Sequence, residues 1–319
     1  MSAALASHFD ETGAQFAWDS TSLKWASTCS RYYAFTMLLS YEGDRSVHLI
    51  FGGHYARALE LFHKFRAEGV DHDEATHRVI EYTLIHTWVH STRDRVRIPG
   101  TGQAEFFDSE VKSREALIRT IVWYLEENRY TEWTTYVTSQ GKAAVEFSFK
   151  VELSNSLIYS GHIDRVLQYG GDFFIQDQKT TSSTLTTRYF HGFDTDIQMS
   201  GYAFAGHSIY SIPIKGVMID AVQLGPNYSK FMRGFTPRST AFLAEWRNEM
   251  LLLIDQTRKQ TVEWRKTSDL SSFRPNYTAC GNYGGCAFRS VCSAPPSLRE
   301  RLLRGNFSTR PQWNPLTPR

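Results

Sequence analysis

The sequence predicts an α/β fold in which a mixed central sheet is flanked by helices. Residues 143–151 alternate between apolar and polar side chains, and residues 161–181 contain two further strand-like runs. Amphipathic helical patterns occupy 113–130 and 239–265, before and after these strands. At 319 residues, of which 41% are hydrophobic, the chain is long enough to bury a substantial core.

The charge and the cysteine content limit the class of protein. A formal net charge of +2 means that any nucleic-acid contact must come from a local basic groove, which argues against a dedicated high-affinity DNA-coating protein. No apolar run approaches the roughly 18–20 residues of a spanning helix, and the N-terminus lacks the pattern of a secretory signal. We therefore expect a soluble cytoplasmic protein without membrane contact, whose four cysteines are ligands or free thiols rather than disulfides.

The segment 161–181 carries the most informative polar residues. It reads as two strands joined by a tight turn at Gly170-Gly171. Asp177 and Lys179 are two residues apart and therefore share a strand face, and pairing across the turn brings Asp164 alongside Asp177. Two carboxylates and a lysine at a sheet edge suit Mg²⁺ or Mn²⁺, with the lysine orienting a water. For the D-x-K tripeptide alone, a solvated charge pair at a strand end is the alternative.

Two further residues are candidates for the same site. His54 follows a glycine pair and is predicted at the first turn of a helix, where a purely structural histidine is the alternative. Glu146 lies on the polar face of the strand at 143–151 and could face the same site as Asp164. A solvated strand charge is the alternative for Glu146.

The segment after the second strand is predicted to be a helix that begins at Asp196. Gln198 and Tyr202 are four residues apart on it, so their side chains share a face. A buried tyrosine with a hydrogen-bonding glutamine is the alternative to a functional pair.

The cysteines form a second informative pattern. Cys280, Cys286 and Cys292 fall within thirteen residues and are interleaved with glycines that allow sharp turns. Clustered thiols in a reducing compartment indicate a metal or an iron–sulfur centre. Three ligands need a fourth, and Cys29 is the remaining cysteine. A Cys₄ zinc site and unligated thiols are the alternatives.

In this order, the motifs resemble the RecB-like branch of the PD-(D/E)XK nuclease superfamily. GHIDRV and IQDQKT match its G-x-x-D-R-x and D-x-K-T segments, and QMSGY matches its Q-x-x-x-Y. One N-terminal and three C-terminal cysteines are the arrangement of RecB-like nucleases that hold a 4Fe–4S cluster, including AddB-type and CRISPR-associated exonucleases. Here the C-terminal spacing is C-x₅-C-x₅-C, where C-x₂-C-x₅-C is more usual.

The resemblance implies a restriction-endonuclease-like sheet and metal-dependent hydrolysis of DNA, with an exonuclease acting on single-stranded ends as the expected form. One or two Mg²⁺ or Mn²⁺ ions would be held by His54, Asp164, Asp177 and the backbone carbonyl of Gln178. Lys179 would position the attacking water, Gln198 and Tyr202 would contact DNA, and Glu146 would be an additional site residue. A 4Fe–4S cluster would be bound by Cys29, Cys280, Cys286 and Cys292.

The predicted organisation is a single nuclease domain over residues 1–305. It contains a helical insertion at about 55–135, a cluster-binding region at 280–292 together with Cys29, and a tail at 306–319 with little fixed structure. No nucleotide-binding P-loop motif is present, so the chain shows no nucleotide-driven motor of its own. By the resemblance, the expected partners are DNA with single-stranded ends and a helicase or recombination protein. A non-catalytic DNA-binding or assembly protein that retains the fold is the alternative function. The sequence does not determine the polarity of cleavage, the preference for DNA or RNA, the biological pathway or the oligomeric state.

Overall fold

The structure is a computed structural model, and it describes residues 7–43, 47–87, 95–97, 104–106, 111–210 and 212–317. The strands are β1 (Ala17–Trp18), β2 (Arg95–Arg97), β3 (Ala104–Phe106), β4 (Thr134–Thr135), β5 (Val145–Ser154), β6 (Leu157–Tyr169), β7 (Asp172–Thr181), β8 (Ile214–Leu224) and β9 (Ser229–Pro237). The helices are α1 (Ser20–Thr28), α2 (Ser30–Tyr33), α3 (Val47–Ala67), α4 (His72–His86), α5 (Arg114–Glu127), α6 (Thr187–His191), α7 (Ile197–Ile209), α8 (Thr240–Thr267), α9 (Arg289–Ser293) and α10 (Pro296–Asn306).

Among the described residues, β1 and β4 to β9 form a seven-stranded mixed sheet, and helices flank it. Pairing is parallel between β7 and β8 and antiparallel between β6 and β7 and between β8 and β9. The predicted α/β fold with a mixed central sheet is therefore confirmed, and the arrangement is consistent with a restriction-endonuclease-like fold. None of the described helices is long and apolar enough to cross a membrane.

The chain divides into two compact units. We call the first the central unit, made of Arg45–Phe147 and His162–Ser239, and the second the terminal unit, made of Met1–Asp44, Ser148–Gly161 and Thr240–Arg319. The predicted helical insertion at about 55–135 falls in the central unit, where α3, α4 and α5 are observed. Its residues 88–94, 98–103 and 107–110 lie outside the described part of the chain.

The hairpin of the central unit has the predicted turn. Strand β6 ends at Tyr169 and β7 begins at Asp172, and the two glycines between them have φ angles of +56° and +86°. A two-residue turn with positive φ at both positions matches the twist of antiparallel strands, and glycine adopts it without steric cost. The turn therefore sets the register of the two strands that carry the candidate acidic residues.

Helix α3 begins earlier than the sequence predicts. It starts at Val47 and runs through Gly52 and Gly53, so His54 lies within the helix rather than at its first turn. Two interior glycines each cost about 1 kcal/mol of helix stability relative to alanine. Burial of apolar residues on both sides of the glycines offsets this cost, since α3, α4 and α5 share one core with β8: Ile50, Phe51, Tyr55, Leu59, Phe62, Val79, Leu117, Ile121, Val222 and Leu224.

Strand β8 is buried along almost its whole length, as its apolar sequence predicts. Asp220 is its one carboxylate, and its side chain is only 2% exposed. The Asp220 carboxylate accepts hydrogen bonds from the Tyr124 hydroxyl and from Gln176 Nε2, the latter at 2.6 Å. Arg233 Nε lies 3.4 Å from the same oxygen. Three partners therefore compensate one buried charge and connect α5 with three strands.

Replacing Asp220 with alanine should destabilise the protein strongly. The change leaves Tyr124, Gln176 and Arg233 without their shared acceptor, and breaking a buried ion pair from one side costs about 3–5 kcal/mol of unfolding free energy. Urea denaturation of the two proteins measures this difference. Asp172→Ala is the matched control, because Asp172 is half-exposed and pairs with exposed Lys215 at 3.5 Å, so its loss should cost less than about 1 kcal/mol. Equal stability of both variants would contradict the prediction.

The terminal unit contains β1, α1, α2, α8, α9 and α10. Strand β1 pairs in parallel with the first residues of β6, through Ala17 opposite Ile158 and Trp18 opposite Tyr159. Long helix α8 spans 28 residues, close to the predicted bounds.

The chain after α10 makes specific contacts, although its sequence predicts little fixed structure. Trp313 Nε1 donates to Asp19 Oδ2 at 2.7 Å, and Ser160 Oγ donates to the Pro315 carbonyl at 2.8 Å. Asp19 also caps α1 by accepting from Ser22 N at 2.7 Å. One carboxylate therefore holds both the start of α1 and the indole of the C-terminal segment. A polar, proline-rich composition does not reveal such partners, because they come from distant parts of the chain.

Candidate functional site

The two candidate acidic residues of the hairpin lie on adjacent strands. Arg165 of β6 pairs with Gln176 of β7, so the next position places Asp164 beside Asp177. The backbone N–H of Gln178 donates to Asp164 Oδ2 at 3.3 Å. Asp177 is 1% exposed, whereas Asp164 is half-buried. Both carboxylates are therefore held by the sheet itself.

Lys179 connects this hairpin with helix α7. Its Nζ lies 2.5 Å from Asp177 Oδ2 and donates to Gln198 Oε1 at 3.3 Å. Gln198 in turn donates from Nε2 to the Tyr202 hydroxyl at 2.9 Å. Asp196 caps α7 by accepting from Gln198 N at 2.8 Å, which fixes where the helix begins. The predicted i,i+4 pair therefore extends a chain of hydrogen bonds from Lys179 through Gln198 to Tyr202, which we call the hydrogen-bonded relay.

Three carboxylates act on one another at this site. Burial raises the pKa of Asp164 to about 8, with further contributions from the charges of Asp177 and Glu146. Burial of Lys179 favours a lower pKa, but the negative charges of Asp177 and Asp164 together have the larger effect. The pKa of Lys179 is therefore raised. Glu146 has a φ of +47°, an uncommon conformation for a non-glycine residue and one that recurs at functional sites. Glu146 and Asp164 also border the same small cavity.

His54 lies on α3, near the end of β7 that carries the D-x-K residues. Two residues before it, a Cβ placed on Gly52 would lie 3.4 Å from Thr180 Oγ1, so the helix approaches the strand closely there. Burial lowers the pKa of His54 to about 4, and the charge of His86 adds to this effect. His54 is therefore neutral at pH 7, the form that coordinates metals. Among the described residues, no group of three or more His, Cys, Asp or Glu side chains is arranged to hold a metal ion.

Tyr189 is a site neighbour that the motifs do not predict. It lies on α6, directly after the D-x-K strand, and Thr186 caps that short helix. Burial raises the pKa of the Tyr189 hydroxyl, and the charges of Lys179 and Asp177 also act on it. The aromatic residue soon after the D-x-K-T segment is the sequence signal that could have identified it.

The four cysteines all lie in the terminal unit. Cys29 is an extended residue between α1 and α2, with φ of −165°. Asn276 holds it there, because Asn276 N donates to Cys29 Sγ at 3.3 Å and Asn276 Nδ2 donates to the Thr28 carbonyl at 3.0 Å. Cys286 N donates to the Cys280 carbonyl at 3.0 Å, and Gly285 before it has a φ of +118°. These contacts gather segments that are far apart in sequence.

The thiols are close enough to influence one another. Burial raises the pKa of Cys286, and Cys280, Cys292 and Cys29 raise it further. Burial also raises the pKa of Cys292, while buried Arg31 opposes this shift through its charge and a hydrogen bond. Cys286 and Cys292 pack against an apolar cluster formed by Phe35, Phe288, Val291 and Leu303. The four cysteines therefore lie in one region of the terminal unit, near buried Arg31, although they are not among any group of three or more side chains arranged to hold a metal in the described part of the chain.

Comparison with known proteins identifies the family. No curated protein is significantly similar to this chain. A solved structure described as the crystal structure of SSO0001 aligns at 14% identity over 44% of this chain, and this chain covers 61% of that one. The TM-score of 0.26 is too low to support an argument about fold or function. A sequence model of the PD-(D/E)XK nuclease superfamily matches residues 19–293, and this chain therefore belongs to that superfamily.

Proposed function

We propose that the chain is a metal-dependent deoxyribonuclease of the RecB-like branch, acting as an exonuclease on single-stranded ends. The observation that carries this proposal is the continuous set Asp164, Asp177, Lys179 and Gln198, in which two carboxylates and a lysine lie close together on the adjacent strands β6 and β7. DNA binding alone needs no such set. Membership of a nuclease superfamily is the second support.

The donor set fits Mg²⁺ or Mn²⁺. Enzymes of this superfamily typically use these ions, and carboxylate oxygens are the ligands that hard cations prefer. Asp164 and Asp177, with the carbonyl of Gln178 and the neutral imidazole of His54, would hold one or two ions, and Glu146 is an additional candidate. A bound ion lowers the pKa of a water and neutralises charge that develops on the phosphate.

The chain's own residues would then orient the reaction. Lys179, held between Asp177 and Gln198, would donate a hydrogen bond to the attacking water and fix its direction towards phosphorus. The hydrogen bond to Tyr202 would fix the orientation of the Gln198 amide, and the Gln198 amide would in turn fix the position of the Lys179 ammonium group. A contact of Gln198 or Tyr202 with DNA is the second role proposed for this pair.

We also propose that Cys29, Cys280, Cys286 and Cys292 bind a 4Fe–4S cluster. All four thiols are free and lie at one place in the terminal unit, and Arg31 would compensate the negative charge of a thiolate cluster. A zinc ion bound by the same four thiolates is the alternative, and metal analysis of the purified protein distinguishes the two centres.

End-labelled DNA tests the proposed activity. Single-stranded and double-stranded substrates are incubated with the protein in Mg²⁺, in Mn²⁺ and in EDTA. We expect cutting only with a divalent ion, faster on the single strand and with release of label from one end first. Binding without cutting in any metal, by a folded and cluster-loaded protein, would instead indicate a non-catalytic DNA-binding or assembly protein.

Tyr202→Phe tests the hydrogen-bonded relay. The change keeps the ring but removes the oxygen that accepts from Gln198, so the amide and the lysine are less restricted. We expect kcat to fall about tenfold, the scale of one net hydrogen bond of about 1.4 kcal/mol. Single-turnover cleavage and a DNA-binding titration are measured together. A weaker affinity with unchanged kcat would show that Tyr202 contacts DNA instead of positioning Lys179.

A further inference from the structure

A larger polar cavity opens within the central unit. Its volume is about 360 Å³, and its walls come from α3, α5, the segment 128–137 and strands β6 to β9. A pocket of this size accommodates a small organic group. Four arginines line it, namely Arg66, Arg129, Arg165 and Arg233, and no aspartate or glutamate does. The cavity is therefore chemically suited to an anion.

Arg165 is the most buried of these four arginines, at 7% exposure. Its guanidinium donates to Thr135 Oγ1 at 2.9 Å, to Gln176 Oε1 at 3.0 Å and to the Trp133 carbonyl at 3.3 Å, all of them neutral acceptors. In the described part of the chain, no carboxylate forms an ion pair with it. A guanidinium is a planar donor that matches phosphate geometry. Neutral acceptors hold Arg165 in place while leaving its charge for an anionic ligand.

Arg129 and Arg66 have hydrogen-bond partners that a ligand phosphate can replace. Arg129 pairs with Asp73 at 2.6 Å and with Glu126 at 2.9 Å, and these carboxylates are 75% and 63% exposed. Such exposed pairs contribute little, so a ligand phosphate can replace them at small cost. Arg66 is exposed and donates to the Val70 carbonyl at 2.6 Å. Arg233 stays paired with buried Asp220, so its charge is already compensated within the protein.

An aromatic shelf adjoins this cavity, made of Trp133, Tyr169, Phe174 and Phe235. Trp133 also lines the cavity, and its ring stacks on Tyr169 at 4.0 Å and on Phe235 at 5.6 Å. Phe174 contacts both Trp133 and Phe235 edge-on. Tyr169 and Phe235 are 40% and 50% exposed, and both contact Trp133, so the exposed rings lie next to one another at the surface. Exposed aromatic rings beside a basic groove are the platform on which unpaired bases stack.

We infer that the arginine-lined cavity and the aromatic shelf together hold one unpaired nucleotide of a DNA strand, with its phosphate on the arginines and its base against the shelf. The inference rests on the proposed action on DNA and assigns it a substrate-holding site. Phe174 precedes Gln178 by four residues on β7, which is about 13 Å along a strand. The held nucleotide is therefore outside the reacting position, and the exposed rings of the shelf offer a stacking surface to an unpaired base.

The test is a binding titration of the full protein with a fluorescent single-stranded oligonucleotide in EDTA, where no cleavage occurs. Arg66→Ala/Arg129→Ala should weaken binding about tenfold and reduce the slope of log K against log salt by about 1 to 2. Tyr169→Ala/Phe235→Ala should weaken binding about tenfold with little change in that slope. Arg57→Ala, an exposed arginine of α3 outside the cavity, and Trp123→Ala, an exposed aromatic residue of α5, are the matched controls and should bind as wild type.

Two results would overturn the inference. One is wild-type DNA affinity in both double variants while their thermal unfolding is unchanged. The other is a change in sedimentation of the shelf variant without a change in DNA affinity, which would make the shelf a protein interface. Parallel cleavage assays separate this inference from the proposed function. If the wild type binds DNA, and the variants weaken binding as expected, but no cutting occurs, the proposed nuclease activity is refuted and the binding site is not. If the wild type cuts DNA and both double variants bind it with wild-type affinity, only the proposed binding site is refuted.

Discussion

Replacing Lys179 with alanine should abolish DNA cleavage and leave DNA binding intact. The lysine is the one cation of the candidate site that contacts both Asp177 and the Gln198 relay. Loss of a preorganised donor to a reacting group typically lowers kcat by about 10²–10³, and loss of water positioning adds to this. Single-turnover cleavage of labelled single-stranded DNA in Mn²⁺ measures the loss, and anisotropy in EDTA measures binding.

The control must separate chemistry from folding. Removing Lys179 leaves Asp177 buried beside Asp164 without its cation, which destabilises the metal-free protein. Lys179→Gln keeps a hydrogen-bond donor of similar length and should fold but remain inactive, because it lacks the charge. Lys215→Ala removes an exposed lysine from β8 and should cut at the wild-type rate. A folded Lys179→Ala protein that cuts normally would refute the proposed mechanism.

Replacing Cys292 with serine should remove the iron–sulfur chromophore and most of the stability of the terminal unit. Cys292 packs against the Phe288 cluster and is near the charge of buried Arg31, which would compensate a thiolate at this position. A cluster held by Cys29 and the C-terminal cysteines closes a loop of roughly 250 residues, and such a cross-link contributes on the order of 5 kcal/mol. Visible absorption, iron and sulfide content and thermal unfolding are the measurements.

The comparison variant is Ser290→Ala, an exposed residue on the same short helix. It should keep the brown colour and the wild-type melting temperature. Stoichiometric zinc without iron in the anaerobically purified wild type would identify a Cys₄ zinc site instead. Colourless wild-type protein with no metal, as stable as Cys292→Ser, would leave the four cysteines as unligated thiols.

The strands, the turn and the helix caps could be predicted from the sequence because they follow local rules. Two-residue periodicity sets Asp177 and Lys179 on one face, and the Gly170-Gly171 pair sets the register that brings Asp164 beside them. Helical spacing likewise places Gln198 next to Tyr202. These features depend on residues fewer than about twenty positions apart, so their geometry follows from the backbone alone.

Other features depend on which distant elements pack together. Local propensity predicts that a helix begins after the Gly52-Gly53 pair, but burial of Ile50 and Phe51 extends α3 across the glycines. Likewise, Asn276, which is distant in sequence, holds Cys29 in an extended form. The same holds for the partners of Asp220 and for the arginine-lined cavity, whose residues come from three helices, four strands and the segment 128–137. The sequence alone determined the order and local geometry of the candidate site. Only the tertiary structure decided which buried charges have partners, because the free energy of a buried charge depends on groups that the chain brings together from far apart.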